Sequence, residues 1–186
     1  NDRLKGMDDL QTIEIGGTRI TAIASAHEVL TPDPKTGHHH YLGFVIEGNG
    51  CTLYHPGDTW IYEGLVTKLK KWKVDILFLP INGRDAKRYK SNVMGNMTFQ
   101  EAVDLAGELQ PGIAIPTHYD MFLNNSVDPV LFEEYLQVKF PEVLRLAEPA
   151  SYGSPVIITP RLGQGSFRIM VTDAYERRCA VTQERT

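Results

Sequence analysis

Tyr54-His55-Pro56-Gly57-Asp58-Thr59 closes an apolar run, 51–54, with a sharp turn that ends in a carboxylate. Glycine at 57 lets the backbone turn tightly and approach a ligand. The aspartate then projects from a strand end, where α/β sheets build their sites. Two other runs end in the same manner. Ile20-Thr21-Ala22-Ile23-Ala24-Ser25-Ala26 leads to His27, and Ile113-Ala114-Ile115-Pro116-Thr117 leads to His118. One aspartate and two histidines, each at the carboxyl end of an expected strand, are candidate ligands of a metal site at one edge of a sheet. Neutral imidazoles and a carboxylate are the usual ligands of a hydrolytic zinc or related ion. Each residue alone has a plainer reading: Asp58 as an Asx-turn or helix cap, His27 and His118 as satisfied buried histidines. Three matching contexts favour the metal.

Working outward, apolar segments predict strands at 12–15, 18–25, 41–47, 51–54, 75–80, 112–116, 143–147 and 155–159. Gly16-Gly17 reads as a turn between the first two, and Gly48-Asn49-Gly50 as a hairpin. Ile61, Leu65, Leu69 and Trp72 have helical spacing among lysines, which predicts a helix over 61–72. Thr98-Phe99-Gln100-Glu101 is a capping box that opens a helix running to Leu109. Asp128-Pro129 supplies an N-cap and a first-turn proline for a helix through Val138. Strand–helix alternation after residue 50 makes the fold class α/β, a layered architecture. Residues 31–40 and 82–97 read as polar loops, and a loop as long as the second is usually functional. Past Pro160 the character changes, so residues 1–159 are expected to form one domain and 160–186 a separate tail.

Composition narrows the function classes. The 186 residues are 42% apolar, enough for a core, and carry a net charge of -4, which gives no basic surface for nucleic acid or an anionic membrane. No run approaches the roughly 20 apolar residues of a membrane-spanning helix. Cys51 and Cys179 form no metal or redox spacing and suit a reducing cytoplasm.

Other residues are candidates for substrate. Asn82-Gly83-Arg84-Asp85 follows the strand 75–80. Arg84 could clamp a phosphate or carboxylate in two-pronged fashion, or simply pair with Asp85 on the surface. His38-His39-His40 cannot all face one ion in regular backbone. The loop is read as lining the mouth of the site, with His39 as the residue touching substrate, or else as a solvated loop. His55 reads as support for Asp58 or as packing. Asn82 and Tyr119 complete the expected substrate contacts.

The ordered series Ala24-Ser25-Ala26-His27-Glu28, Leu42-Gly43-Phe44-Val45-Ile46-Glu47-Gly48, Tyr54-His55-Pro56-Gly57-Asp58-Thr59, Leu79-Pro80-Ile81-Asn82-Gly83, Gly95-Asn96-Met97-Thr98-Phe99-Gln100-Glu101-Ala102 and Ile115-Pro116-Thr117-His118-Tyr119 resembles the metallo-β-lactamase fold superfamily. It is most similar to the branch of ascorbate-6-phosphate lactonase and related metal-dependent hydrolases. That resemblance implies an αββα sandwich and two divalent ions, zinc or manganese. It also implies His27 on the first ion, Asp58 bridging both and His118 on the second. The implied activity is hydrolysis of a small-molecule ester, lactone or phosphoester by metal-activated water, an anionic substrate being one option. The family signature His-x-His-x-Asp-His does not occur. The six histidines are at 27, 38, 39, 40, 55 and 118. The chain therefore reads as the second half of the sandwich, its N-terminal part supplied by an upstream segment or a partner chain. Alone it is expected to bind metal weakly or not at all.

The tail carries another resemblance. Arg161-Leu162-Gly163-Gln164-Gly165-Ser166-Phe167-Arg168, with Val171-Thr172-Asp173-Ala174-Tyr175 and Arg178-Cys179-Ala180-Val181-Thr182, is similar to the opening of an HNH endonuclease module. This leaves two rival readings: a nuclease-associated protein, or a metal-free, non-catalytic fragment.

Overall fold

Two tight turns start the sheet. Gly16 and Gly17, both at positive φ (58° and 80°), join β1 (Thr12–Ile15) to β2 (Thr18–Ala24). Asn49 and Gly50 (50° and 75°) join β3 (Leu42–Gly48) to β4 (Cys51–His55). Left-handed conformation at both central residues is the hairpin turn whose twist matches that of the flanking strands. The structure, a computed structural model, describes residues 5–120 and 125–144. With β5 (Ile76–Pro80) and β6 (Ile113–Thr117) the strands form one six-stranded sheet in chain order. Strands β2 and β4 are each antiparallel to β3, so they run together, and β5 and β6 are parallel to β4. The carboxyl ends of β2, β4, β5 and β6 therefore share one edge.

Register separates the two faces. Thr21, Val45, Tyr54, Leu77 and Ala114 pair successively across the sheet and are all buried. Over this face pack α1 (Leu65–Leu69), α3 (Phe99–Leu109) and α4 (Pro129–Lys139), which contribute Leu65, Leu69, Ala102, Val103, Leu105, Ala106, Phe132 and Leu136 to the core. The capping box at Thr98 and Glu101 and the Asp128 cap with its first-turn proline form as the sequence predicts. A further short helix, α2 (Ala86–Lys90), lies inside the segment expected to be loop, capped by Asp85.

Three segments differ from expectation. The helix predicted over 61–72 is reduced to α1, because Gly64 takes φ 91° immediately before it and breaks the helical run. Ile61 and Tyr62 still pack on the core, and the Tyr62 hydroxyl donates to the Ala24 carbonyl at 2.6 Å. Residues Pro141–Leu144 form a 3-10 turn where the start of a strand was expected. The strand at 155–159, the 159/160 boundary and the HNH-like tail lie outside the described residues.

The opposite face is also apolar. Ile13, Ile20, Ile46, Leu53, Ile76 and Ile113 pair in one continuous row across all six strands, and each is only half-buried. A sheet face of this kind fits a second layer. The isolated chain is expected to bind an apolar dye and to self-associate in sedimentation, and Ile46→Lys to reduce both. A dye-silent, monodisperse wild-type chain would contradict this.

Candidate metal centre

The four strand ends at the shared edge deliver the candidate residues. His27 lies just beyond β2, Asp58 just beyond β4, Asn82 just beyond β5, and His118 immediately after β6. The strand expected to run into His27 ends at Ala24. Ser25 and Ala26 continue as a buried crossing, held by Ser25 Oγ donating to the Pro56 carbonyl (2.5 Å) and by Ala26 N donating to Thr59 Oγ1 (2.8 Å). These bonds tie the His27 segment to the Asp58 turn. Gly57 makes that turn at φ 65°. His118 is itself left-handed at φ 58°, a backbone state costing on the order of 1 kcal/mol for a residue with a Cβ. Strain of this kind persists where the surroundings hold it, and here it falls on a candidate ligand.

The three residues converge on the carboxylate, one histidine to each oxygen. His118 Nε2 is 2.8 Å from Asp58 Oδ1, and His27 Nε2 is 3.5 Å from Asp58 Oδ2. Ligands about 2.0–2.2 Å from one ion stand about 3 Å apart, so these are spacings of neighbouring donors. Neutral imidazole nitrogens and a carboxylate, oriented this way, fit part of the ligand shell that a divalent metal would need. The set is open: among the described residues no group of three or more His, Cys, Asp or Glu side chains suffices to hold an ion. His27 Nδ1 is buried without a hydrogen-bond partner, and the exposed Glu28 carboxylate is 4.0 Å from it. Metal-bound imidazole normally donates from its second nitrogen, so a rotation of Glu28 would supply the acceptor.

Gly95 closes over His27. A Cβ placed there would sit 2.2 Å from His27 Nε2, so only glycine allows the segment to cover the ring. Tyr41 packs against the same imidazole, with ring centroids 5.2 Å apart. A cavity of about 660 Å³ opens here. Its walls are His27, Glu28, Asp58, Asn82, Gly83, the segment 92–96, His118 and Asn125.

Charges at the site are coupled. Burial alone would raise the Asp58 carboxyl, but the His118 hydrogen bond and charge, the His27 charge and a hydrogen bond from Asn96 outweigh it and hold it below its ordinary value. The Asp58 hydrogen bond raises His118 above the ordinary histidine value of 6.5, against the opposing effect of burial. Desolvation lowers His55, which is packed flat on Phe78, and the His118 charge lowers it further. In the metal-free chain, NMR titration should therefore find His118 above 6.5 and His55 below it. A raised histidine stabilises the fold fully below its unfolded value of 6.5 and loses that contribution as pH rises through its folded value. Asp58→Asn should bring His118 down. A His118 that titrates at or below 6.5 in the wild type would refute the pairing.

Of the residues expected to hold substrate, Asn82 lines the cavity. Arg84, His39 and Tyr119 stand outside that lining. The Arg84 guanidinium pairs with Glu101 and lies 5.5 Å from the Trp60 ring centroid. His39 and His38 both turn to Asp8, with His39 Nδ1 at 2.8 Å and His38 Nδ1 at 3.1 Å, so the 31–40 loop is pinned to the N-terminal segment. Tyr119 packs on the core. His55 accepts from Gly57 N at 3.1 Å and so supports the turn rather than the cavity.

Sequence reasoning missed Gly95, Asn96 and Arg88. Buried Arg88 pairs with Asp85 and donates to Asn125 Oδ1 (2.6 Å) and the Ser126 carbonyl (2.7 Å). It thereby joins α2 to the far wall of the cavity. The available signals were the length of the 82–97 segment and, for Gly95 and Asn96, their place in the series that carries the family resemblance; nothing in the sequence singled out Arg88.

Comparison with known proteins agrees with this fold. A UPF0173 metal-dependent hydrolase of Staphylococcus aureus (strain JH9) is 28% identical over 116 residues, 60% of this chain and 44% of that protein. The chain thus spans under half the length of this relative. Among solved structures, Igni18, a metallo hydrolase from Ignicoccus hospitalis, matches with a TM-score of 0.56 at 20% identity, covering 72% of this chain and 53% of its own. CmlA, a diiron beta-hydroxylase from Streptomyces venezuelae, matches at 0.51 and 18%, covering 72% and 31%. At such identities the likeness is one of fold, and that fold serves more than one chemistry. The family model described as Beta-lactamase superfamily domain matches residues 1–119, which include all three converging residues, and the chain belongs to that family.

Proposed function

We propose that this domain carries one side of the active centre of a metal-dependent hydrolase acting on a small-molecule ester, lactone or phosphoester. The observation that carries this is the Asp58 carboxylate, with each oxygen facing a different histidine nitrogen, at 2.8 Å and 3.5 Å. His27 and Asp58 would hold one divalent ion, zinc or manganese, and His118 and Asp58 the second. The remaining ligands would come from an upstream segment or a partner chain. Such ions supply Lewis acidity and a water ionisable near neutral pH. Asp58 is kept ionised by His118, His27 and Asn96, so it is ready as a ligand without first losing a proton. Ser25, Ala26 and Thr59 lock the two loops that present His27 and Asp58. Asn82 faces substrate from the end of β5.

Among the described residues no helix is long and apolar enough to cross a membrane. The free thiol of Cys51 fits a reducing, cytoplasmic setting. The test is turnover of a chromogenic ester, a lactone and a phosphodiester, with added zinc or manganese, by the chain completed with the segment or partner that supplies its remaining ligands. Metal-dependent hydrolysis of one class that is lost in His118→Ala is the expected result. No turnover on any of them, with no metal binding, would favour the metal-free fragment.

A further inference from the structure

Two buried amides beside Asp58 have their orientation dictated by the backbone. Thr59 N–H can only donate, and it lies 2.9 Å from the Asn96 side chain, so the atom it meets is Oδ1. Asn96 Nδ2 is then the donor, and it lies 2.8 Å from Asn82 Oδ1. Asn82 therefore has its oxygen occupied and its NH2 group left over. Both residues are only 4% exposed, and Asn82 lines the cavity. Among the described residues its Nδ2 donates to nothing. The backbone is fixed as well: Asn82 bridges to Thr98, and a Cβ added to Gly83, at φ 66°, would sit 3.3 Å from Thr98 Cα.

We infer that Asn82 Nδ2 grips a carbonyl oxygen of the substrate, with Asn96 as the positioning residue that aims it, and that the substrate is accordingly an ester or lactone. This rests on the reading of the cavity as a hydrolytic site and narrows its substrate. A neutral, pre-aimed amide suits an uncharged acceptor and the negative charge that develops on it during attack. A phosphate gripped at this amide, rather than at the ions, would call for a guanidinium or ammonium group. The nearby cations are already engaged: Arg84 by Glu101, and Arg88 by Asp85, Asn125 and Ser126. Among the described residues the cavity wall holds no lysine or arginine.

Asn96→Asp separates aiming from folding. The aspartate still accepts from Thr59 N–H, but it cannot donate to Asn82. Asn82 then turns its NH2 toward residue 96 and its oxygen into the cavity. The experiment follows the side-chain NH2 signals of the ¹⁵N-labelled full chain during titration with γ-butyrolactone and, separately, inorganic phosphate. In the wild type the Asn82 signals should shift saturably with lactone and barely with phosphate. In Asn96→Asp the lactone response should weaken at least tenfold. Asn82→Asp, which removes the donor and keeps the shape, should lose lactone binding to the same degree, read on Asn96 and Gly83. Wild-type Asn82 signals that ignore lactone, that follow phosphate equally, or that respond unchanged in Asn96→Asp would overturn the assignment. None of these readings requires turnover, so they stand apart from the fate of the hydrolase reading.

Discussion

Asp58→Asn, in the protein with its full ligand set supplied, is expected to weaken zinc or manganese binding by at least about 100-fold and to abolish hydrolysis, while leaving the fold intact. Loss of residues that merely support a ligand costs roughly 10–100-fold in affinity, and Asp58 faces both histidines directly. Asparagine keeps the size and one acceptor oxygen but loses the charge that would hold a position between two cations. The half-exposed Asp58–His118 pair contributes only about 0–1 kcal/mol to the metal-free fold, so the melting temperature should move little. Metal titration with calorimetry, alongside thermal melting, checks both halves. Wild-type metal affinity in Asp58→Asn would return Asp58 to the role of a turn residue.

Gly95→Ala should be nearly as damaging, from a position that offers no ligand. Its Cβ would fall 2.2–2.8 Å from three atoms of the His27 ring, and the imidazole must swing away from Asp58. Displacing a catalytic group by about 1 Å costs on the order of 100-fold in rate. The expected signature is asymmetric. Metal added to Gly95→Ala should still perturb the His118 NMR signals but no longer those of His27, and turnover should fall by about 100-fold. Equal loss at both histidines would point to collapse of the loop rather than displacement of one ligand.

The parts of this architecture that were legible in the sequence are those fixed by local chemistry. Paired residues able to take positive φ gave both hairpins, and Thr98 with Glu101 marked the start of α3 unambiguously. The end of each apolar run marked the sheet edge where His27, Asp58 and His118 meet, since a strand in a paired sheet carries the residues just beyond its end to a definite place. The features that escaped were set by long-range contact. The helical spacing of Ile61, Leu65, Leu69 and Trp72 was real burial, but Gly64 interrupts the backbone and Tyr62 is drawn to Ala24 across the fold. Helix α2 was hidden because its one buried residue is an arginine, which carries no apolar period. Arg84 and His39 have the chemistry of substrate contacts, yet Glu101 and Asp8 claim them, and neither pairing can be read from spacing. The Asn96–Asn82 relay joins residues 14 apart through side chains alone.

The most direct test of the central claim is to locate manganese or zinc by anomalous scattering in crystals of the chain grown with millimolar metal. With the segment or chain that completes the ligand set present in those crystals, ion density beside Asp58, between Oδ1 and His118 Nε2 or between Oδ2 and His27 Nε2, is the predicted result. Density only elsewhere in that complete protein, for example at Asp8 with His38 and His39, or none at Asp58 at saturating metal, would contradict the assignment of this edge as the metal centre.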